Sequence, residues 1–414
     1  MGLFRFINQW REKKDGELEG PALSTDEGHA NYASFKGKPW FDVTEYGAVG
    51  DGVADDGPAI QAAIDDAASA DGMGVVYYPT PNDGYLIDSH LKPKSNTAHI
   101  APEPWTGAKL YAGPNLSYDE AVYKNVDGFQ NLYFYGLEVD GSTGWNGVEY
   151  WPSEKCWLLK PGATDDGTRN LVIECCYAHD TPASAIGCDS IINQHYRYNI
   201  VEGAGTDGET TGGNGIGIGL GEVTGPCPTW IVGNEVTDTA EFGIILEQTG
   251  DSKVAEGIFV GHNFVNDARV GIGVEQCKGV SVTDNWVKAS SRMERGILLD
   301  ALDGTFGVKD ATVSGAHILA GPDGEAITTP IELGSEASIC TLESYTIPTG
   351  GGFETPVNNG SFCAIDGIGK EAAGLGNSPT WIDRWERLSV NQVRNTDDGT
   401  VWVPDQTGGW DQIV

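Results

Sequence analysis

Residues 40–79 read WFDVTEYGAVGDGVADDGPAIQAAIDDAASADGMGVVYYP. Phe41 and Val43 alternate as in a short strand. Gly47, Gly50 and Gly52 then permit backbone angles closed to other residues. Asp55 or Asp56 is placed to cap a helix, and Pro58 falls in its first turn. Ile60, Ala63, Ile64 and Ala67 make one apolar stripe along that helix. Gly72 ends it, and Val75–Tyr78 starts a second strand.

Beyond this opening the chain repeats itself. A strand with a central Asn and a later Asp runs from Ile258 through Asn263 to Asp267, and again from Trp230 through Asn234 to Asp238. Val280 through Asn285 lacks the Asp, and Leu171–Asp180 has Cys176 in place of the Asn. A second element, Gly/Ala-Ile-x-aliphatic-acid, ends at Asp189, Glu247, Glu275 and Asp300, with Gly219 in the place of the acid. The steps between these positions are 30, 28, 28 and 25 residues. Such a period belongs to a solenoid that adds one rung per repeat and buries a continuous core only by stacking. Rungs about 4.8 Å apart align equivalent side chains in columns. The column Asn234, Asn263, Asn285 reads as an inward amide ladder at a turn.

The opening stretch resembles the N-terminal segment of the pectate-lyase-like superfamily. The matching residues are Phe41, Val43, Tyr46-Gly47-Ala48, Gly50-Asp51-Gly52, Asp55-Asp56, Ala59-Ile60-Gln61, Ala63-Ile64, Val75-Val76-Tyr77 and Tyr85-Leu86-Ile87. Gly57-Pro58 and the long Pro79–Gly84 turn depart from the usual pattern. The resemblance implies a right-handed, single-stranded parallel β-helix, with the helix of the opening stretch capping its N-terminal end. It does not by itself imply an activity, because that fold carries pectin-active enzymes, epimerases and viral tailspikes alike. The Asn-x-Asp, Asp-Asp, Gly-His-Gly and Arg-x-Lys motifs of polygalacturonases are absent from the repeats. Tyr177–Asp180 bears a faint likeness to the Asp/His-centred site of the epimerases.

Five regions follow: an amphipathic anchor helix at 1–16, a linker at 17–39, the opening and capping segment at 40–97, the β-helix at 98–345 and a C-terminal β module at 346–414. In the first, Leu3, Phe6, Ile7 and Trp10 fall on one helical face. That face reads either as a dock for a partner protein or as a helix folded back on its own solenoid. In the last, Thr400–Val403 and Trp410–Val414 suggest a hairpin.

The chain carries 25 basic against 60 acidic residues, a formal charge of −35. This argues against nucleic acid as a partner and suits work in high salt, where self-repulsion is screened. The eight cysteines lack a CxxC pair and read as buried small residues. No run of about 18 apolar residues suggests a membrane span, and no secretory signal is visible at the start.

Candidate chemistry follows the columns. Asp180, Asp238 and Asp267 form one predicted column, and Asp189, Glu247, Glu275 and Asp300 another. Like charges one rung apart repel by about 0.9 kcal/mol even at water's dielectric constant. A solvated acidic face accounts for the second column, as does a cation site suited to calcium or other cations. The catalytic candidates are His179, Asp180, Asp207, Glu247 and Glu275, since His titrates near neutrality and paired carboxylates serve glycan chemistry. Trp145, Tyr150 and Trp151 are candidates to stack on sugars or to pack loops. Arg269 and Arg295 are candidates to pair sugar carboxylates or to neutralise the acid columns. The favoured expectation is a virion-surface β-helix (tailspike, fibre or vertex protein, often trimeric in such relatives). It would dock through its N-terminus to other virion proteins and bind host-surface glycan or glycoprotein. The alternative is a polysaccharide lyase, hydrolase or epimerase, secreted rather than virion-borne. A third reading is a spacer without a ligand.

Overall fold

The computed structural model describes residues 38–116, 121–141, 155–161, 167–205, 212–221, 223, 225–247, 255–300, 308–335, 337–338, 340–348 and 356–358, and short strands from 364 to 412. The anchor candidates Leu3, Phe6, Ile7 and Trp10 lie outside the described residues. The chain divides into two compact units, Met1–Gly213 with Gly233–Glu235, and Asn214–Val232 with Val236–Val414. Each is built from three parallel sheets of a right-handed β-helix.

In the first unit, one sheet runs Trp40–Asp42, Gly74–Tyr77, Thr97–Ile100, Gln130–Tyr135, Arg169–Glu174 and Ile192–Arg197. The second runs Asp51–Asp55, Gly84–Ile87, Ala108–Ala112, Leu137–Asp140, Tyr177–Thr181 and Ile200–Ala204. The third joins Ala121–Asn125, Lys155–Leu159 and Ile186–Asp189. The opening segment therefore already contributes rungs.

Its helix, α1, spans Gly57–Ala68 and buries Ile60, Ala63, Ile64 and Ala67. The cap differs from expectation. Asp56 occupies the cap position without a side-chain cap bond. Its carboxylate instead accepts from the N–H groups of Val49 and Gly50 and pins the glycine turn. The freed helix end is met by Asp55, whose Oδ1 accepts from the Gly57 N–H at 3.0 Å. Val43 is not in the strand: it opens a 3₁₀ turn, Val43–Tyr46, closed by Gly47 at φ 102°. Gly74 admits the helix closely, since a Cβ there would stand 2.3 Å from the Ala67 carbonyl oxygen.

In the second unit, the sheets hold Gly225–Val232, Ala255–Gly261, Lys278–Thr283, Thr312–Ser314, Thr341–Glu343 and Ala364–Asp366; Phe264–Asn266, Trp286–Lys288 and His317–Leu319; and Ile216–Gly219, Phe242–Glu247, Val270–Glu275, Arg295–Asp300, Thr329–Leu333 and Val357–Asn358. Rung pairing thus continues past the expected end at 345 to Asp366. The expected hairpin is present, with Trp402 opposite Gln412, and it is joined by Trp385–Ser389 and Gln392–Asn395 in a four-stranded antiparallel sheet.

Both repeat elements have a structural cause. Asn263 and Asn285 sit buried at the turn between two sheets, and Asn263 Nδ2 donates to Asn285 Oδ1 at 3.0 Å and to the Ile231 carbonyl at 2.9 Å. In the first unit Asn199 and Asn234 make the same pair, and Asn199 Oδ1 accepts from the Cys176 N–H. Cys176 is therefore where that ladder begins, and Asn199 is a member the repeat pattern did not single out. The Asp column lies where the chain turns through left-handed angles, φ 51°, 52° and 55° at Asp180, Asp238 and Asp267, which Asp tolerates better than most residues. The glycines of the second element also stack. A Cβ on Gly243 would stand 2.8 Å from the Gly271 carbonyl oxygen, one on Gly271 2.4 Å from that of Gly296, and one on Gly296 2.3 Å from that of Pro330. Gly271→Ala is expected to cost about 1–3 kcal/mol through overpacking, read as a lowered denaturation midpoint with secondary structure retained at low denaturant.

In the first unit the core is aromatic. Tyr78, His99, Tyr123, Phe134 and Trp157 are buried, with His99 stacked on Phe134 at 4.7 Å and Tyr123 on Trp157 at 5.9 Å. Trp157 is thus a packing residue, and the Trp105 indole N–H donates to the Tyr198 carbonyl at 2.7 Å. All described cysteines are buried. Among the described residues no helix is long and apolar enough to cross a membrane.

Candidate functional site

Alternation along Leu137–Asp140 sends Leu137 and Val139 into the core of the first unit, while Glu138 and Asp140 face outward. Alternation along Tyr177–Thr181 does the same for Tyr177 and His179. Parallel register then sets Tyr177 beside Glu138 and His179 beside Asp140. One strand further, Tyr177 and His179 meet Ile200 and Glu202. On the other side Lys109 lies opposite Glu138.

These positions converge on one ring. His179 Nδ1 lies 2.9 Å from Asp180 Oδ2, and Nε2 lies 3.3 Å from Glu138 Oε1. A carboxylate faces each ring nitrogen, an arrangement that favours the doubly protonated ring. Burial works against that charge, but the bonds to Glu138 and Asp180 and the nearby Asp140 outweigh it and raise the His179 pKa. Tyr177 stacks on the ring at 4.3 Å and donates its hydroxyl to Glu202 at 2.9 Å. Burial and Glu202 push that phenol well above its ordinary pKa, so it stays neutral. Lys109 reaches Asp140 at 2.7 Å and Glu138 at 3.5 Å. Its pKa is raised because those two acids outweigh its partial burial.

Exposure divides the roles. His179 is 7% exposed, whereas the Asp180 side chain is 54% exposed. Asp180 is therefore the carboxylate open to a ligand. Gly203 on the next strand makes room for it: a Cβ there would stand 3.0 Å from Asp180 Oδ1. One ligand atom each of Asp140, His179 and Asp180 lies within 4.8 Å of the others, a spacing that can also hold a metal ion. His179 and Asp180 were both marked in the sequence. Tyr177 opened the stretch likened there to the epimerase site; Lys109, Glu138, Asp140 and Glu202 were not marked, although their outward places in alternating strands were a readable signal.

The other candidates stand elsewhere. Asp207, Trp145, Tyr150 and Trp151 lie outside the described residues. Glu247, Glu275 and Asp300 form a register column in the second unit. Asp189, in the first unit, is paired with Lys160 at 3.3 Å and accepts from the Ser190 hydroxyl. Arg269 holds Glu241 at 2.9 Å, and Arg295 holds Glu332 at 2.6 Å. Both thus neutralise acids of the chain itself. Asp238 and Asp267 are bridged by Arg292, which the sequence did not single out.

A family model described as rhamnogalacturonase A/epimerase, pectate lyase-like, matches residues 40–127. Mannuronan C5-epimerase AlgE3 of Azotobacter vinelandii is 39% identical over 94 residues, 22% of this chain and 4% of that protein. Plasmin and fibronectin-binding protein A of Streptococcus pneumoniae is 51% identical over 55 residues, 13% of this chain and 7% of that protein. The chain thus spans only a small part of the length of these curated relatives. Among solved structures, ORF18 of Geobacillus virus E2 aligns over 97% of this chain and 82% of its own, with 15% identity and a TM-score of 0.47. The chain is a parallel β-helix whose first rungs, residues 40–127, carry pectate-lyase-like sequence.

Proposed function

We propose that the chain acts on a polysaccharide containing sugar acids, by proton transfer at the Asp180–His179 centre, the chemistry shared by lyases and C5-epimerases. One observation carries this reading: a histidine ring clamped between two carboxylates, one of them open to solvent, on a sheet face where Lys109 adds a cation. Asp180 would accept the proton α to the sugar carboxylate. The His179 and Lys109 charges would stabilise the negative charge that then builds on that carboxylate, as preorganised cations do. Tyr177, held neutral, would return a proton to the carbanion or to the leaving oxygen. Sequence similarity over 94 residues to a mannuronan C5-epimerase supports the substrate class.

The test is incubation with polyuronates in deuterated water. Deuterium at C5 of the recovered polymer, or an unsaturated product, is the expected result. New reducing ends without deuterium would assign hydrolysis instead. Neither signal on any polyuronate would sink the proposal.

A second reading is favoured by the match to a streptococcal protein named for binding alone. In it the chain is a particle- or cell-surface attachment protein that holds glycan without turnover, with residues 1–16 docking it to its carrier. Glycan retention by the intact chain with no deuterium uptake would select this reading.

A further inference from the structure

We propose that Tyr111 and Asp83 form a second subsite in the first unit, for a neutral sugar of the same polysaccharide, which is then a mixed polymer rather than a pure polyuronate. This rests on the reading of Asp180 as the centre that meets the sugar acid.

Register places the subsite. Tyr111 is the partner of Asp140, which is the partner of His179. Alternation along Ala108–Ala112 points Tyr111 outward, on the same face as those two. Two strand spacings, about 10 Å, separate it from His179. A polymer laid across the strands therefore meets Tyr111 and the His179 centre together. The Tyr111 side chain runs on over the two preceding strands, where it crosses glycines. A Cβ on Gly84 would stand 2.9 Å from Tyr111 Cε1 and 3.1 Å from Cδ1, and one on Gly52 would stand 2.7 Å from the hydroxyl oxygen. Bare backbone thus supports the ring from beneath, and a side chain at either position would displace it. The ring is still partly exposed, and its hydroxyl has no hydrogen-bond partner among the described residues. The negative face of such a ring attracts the C–H hydrogens of a pyranose.

Charge decides which sugar. The tip of Tyr111 lies among acids. The Asp83 Cβ would stand 3.3 Å from that same Cβ on Gly52, and Asp51 is the residue before Gly52. Burial first, then Asp51, Asp56 and Asp83, raise the Tyr111 pKa, so the phenol stays protonated. Asp56 is committed to the N–H groups of Val49 and Gly50, and Asp51 Oδ1 to those of Val53 and Ala54. The exposed Asp83 carboxylate has no such bond among the described residues. A sugar carboxylate placed here would meet like charge. Sugar hydroxyls would instead donate to Asp83 in charge-assisted bonds. The cation of this face, Lys109, is held at the other end by Asp140 and Glu138. The face therefore sorts its ligand, with the sugar acid toward His179 and the neutral sugar toward Asp83.

The test is binding of the full chain to immobilised polysaccharides by surface plasmon resonance, in high salt so that the net charge is screened. Gellan and xanthan mix neutral sugars with sugar acids, whereas alginate and polygalacturonate are uronates only. The wild type is expected to bind a mixed polymer more tightly than either polyuronate. Tyr111→Ala should weaken that binding about 10-fold, the loss of one stacked ring, and Tyr111→Phe should keep most of it. Asp83→Lys, at an exposed position, should shift the preference toward polyuronates. Unchanged circular dichroism and melting temperature check that each variant folds. The subsite is overturned if the wild type binds no mixed polymer, prefers a polyuronate, or binds no better than Tyr111→Ala. Binding is read without turnover, so the two readings separate. Tyr111-dependent binding without deuterium uptake keeps the subsite and sinks the chemistry at Asp180. Deuterium uptake with binding indifferent to Tyr111 does the reverse.

Discussion

An Asp180→Asn chain is expected to lose about 100- to 10,000-fold of its C5 deuterium-exchange rate on a polyuronate, the usual share of one acid–base group. The backbone should tolerate the change, because Asn adopts the left-handed angle of position 180 as readily as Asp. Unchanged circular dichroism and melting temperature would confirm that the fold is kept. His179→Gln acts differently. It removes the cation that faces Glu138 and Asp180, not the carboxylate that touches the sugar. The raised His179 pKa predicts that the wild-type rate falls on the alkaline side only above the ordinary histidine range. In His179→Gln that limb should vanish while a reduced rate persists. A full rate in Asp180→Asn would remove Asp180 from the chemistry. An alkaline limb surviving in His179→Gln would assign it to another group.

Stability should fall steeply in mild acid because of His99. Its ring is buried between Tyr78 and Phe134. The hydrogen bonds form one consistent chain. Tyr123 donates to the Tyr78 hydroxyl at 3.1 Å, and Tyr78 donates to His99 Nδ1 at 2.9 Å. His99 Nε2 donates to Thr97 Oγ1 at 3.3 Å, and Thr97 donates to the Lys94 carbonyl at 2.6 Å. Each donor thus has an acceptor with the ring neutral. A second proton would point at the Tyr78 hydroxyl, which already donates to that nitrogen, and burial pushes the His99 pKa down to about 3.

The unfolded chain takes up that proton near 6.5, so the histidine's contribution is complete above 6.5. It is lost as pH falls toward 3, at about 1.4 kcal/mol per pH unit and roughly 4–5 kcal/mol at the limit. Glu275, buried beside Glu247 and Asp300, works in the opposite sense. Its raised pKa adds stability as pH falls from about 7 toward 4.5. His99→Phe separates the two. It should lower stability at pH 7 by about 1–3 kcal/mol, because the Tyr78 hydroxyl loses its acceptor. It should also remove the acid slope, leaving a chain that rivals the wild type near pH 4. Urea midpoints from pH 7 to pH 4 read both effects. Parallel profiles for the two chains would refute the assignment.

The acid column of the second unit and the His179 centre differ in how far the sequence revealed them. The Glu247–Glu275–Asp300 column was legible because its rungs are nearly equal in length and each is announced by the same Gly-Ile-x-aliphatic-acid run. Counting residues along the chain is therefore enough to align these acids. The His179 centre was legible only at its own strand. Its partner Glu138 is 41 residues earlier, across a long insertion, and Lys109 lies a further strand back with no repeat motif. Unequal rungs hide register, and register alone decides which outward side chains touch.

The same division holds for the whole molecule. Local rules in the chain determined the capping helix, the strand alternation, the glycine column and the asparagine turn, because each depends on backbone geometry within a few residues. They also determined that the chain must coil, since no repeat can bury its apolar side alone. Tertiary structure decided the electrostatics. It set Arg292 between Asp238 and Asp267, gave Arg269 and Arg295 to acids of the chain itself, and left one oxygen of Glu275 unpaired. Charges acquire partners through space and across rungs, and only the stacked backbone specifies those distances.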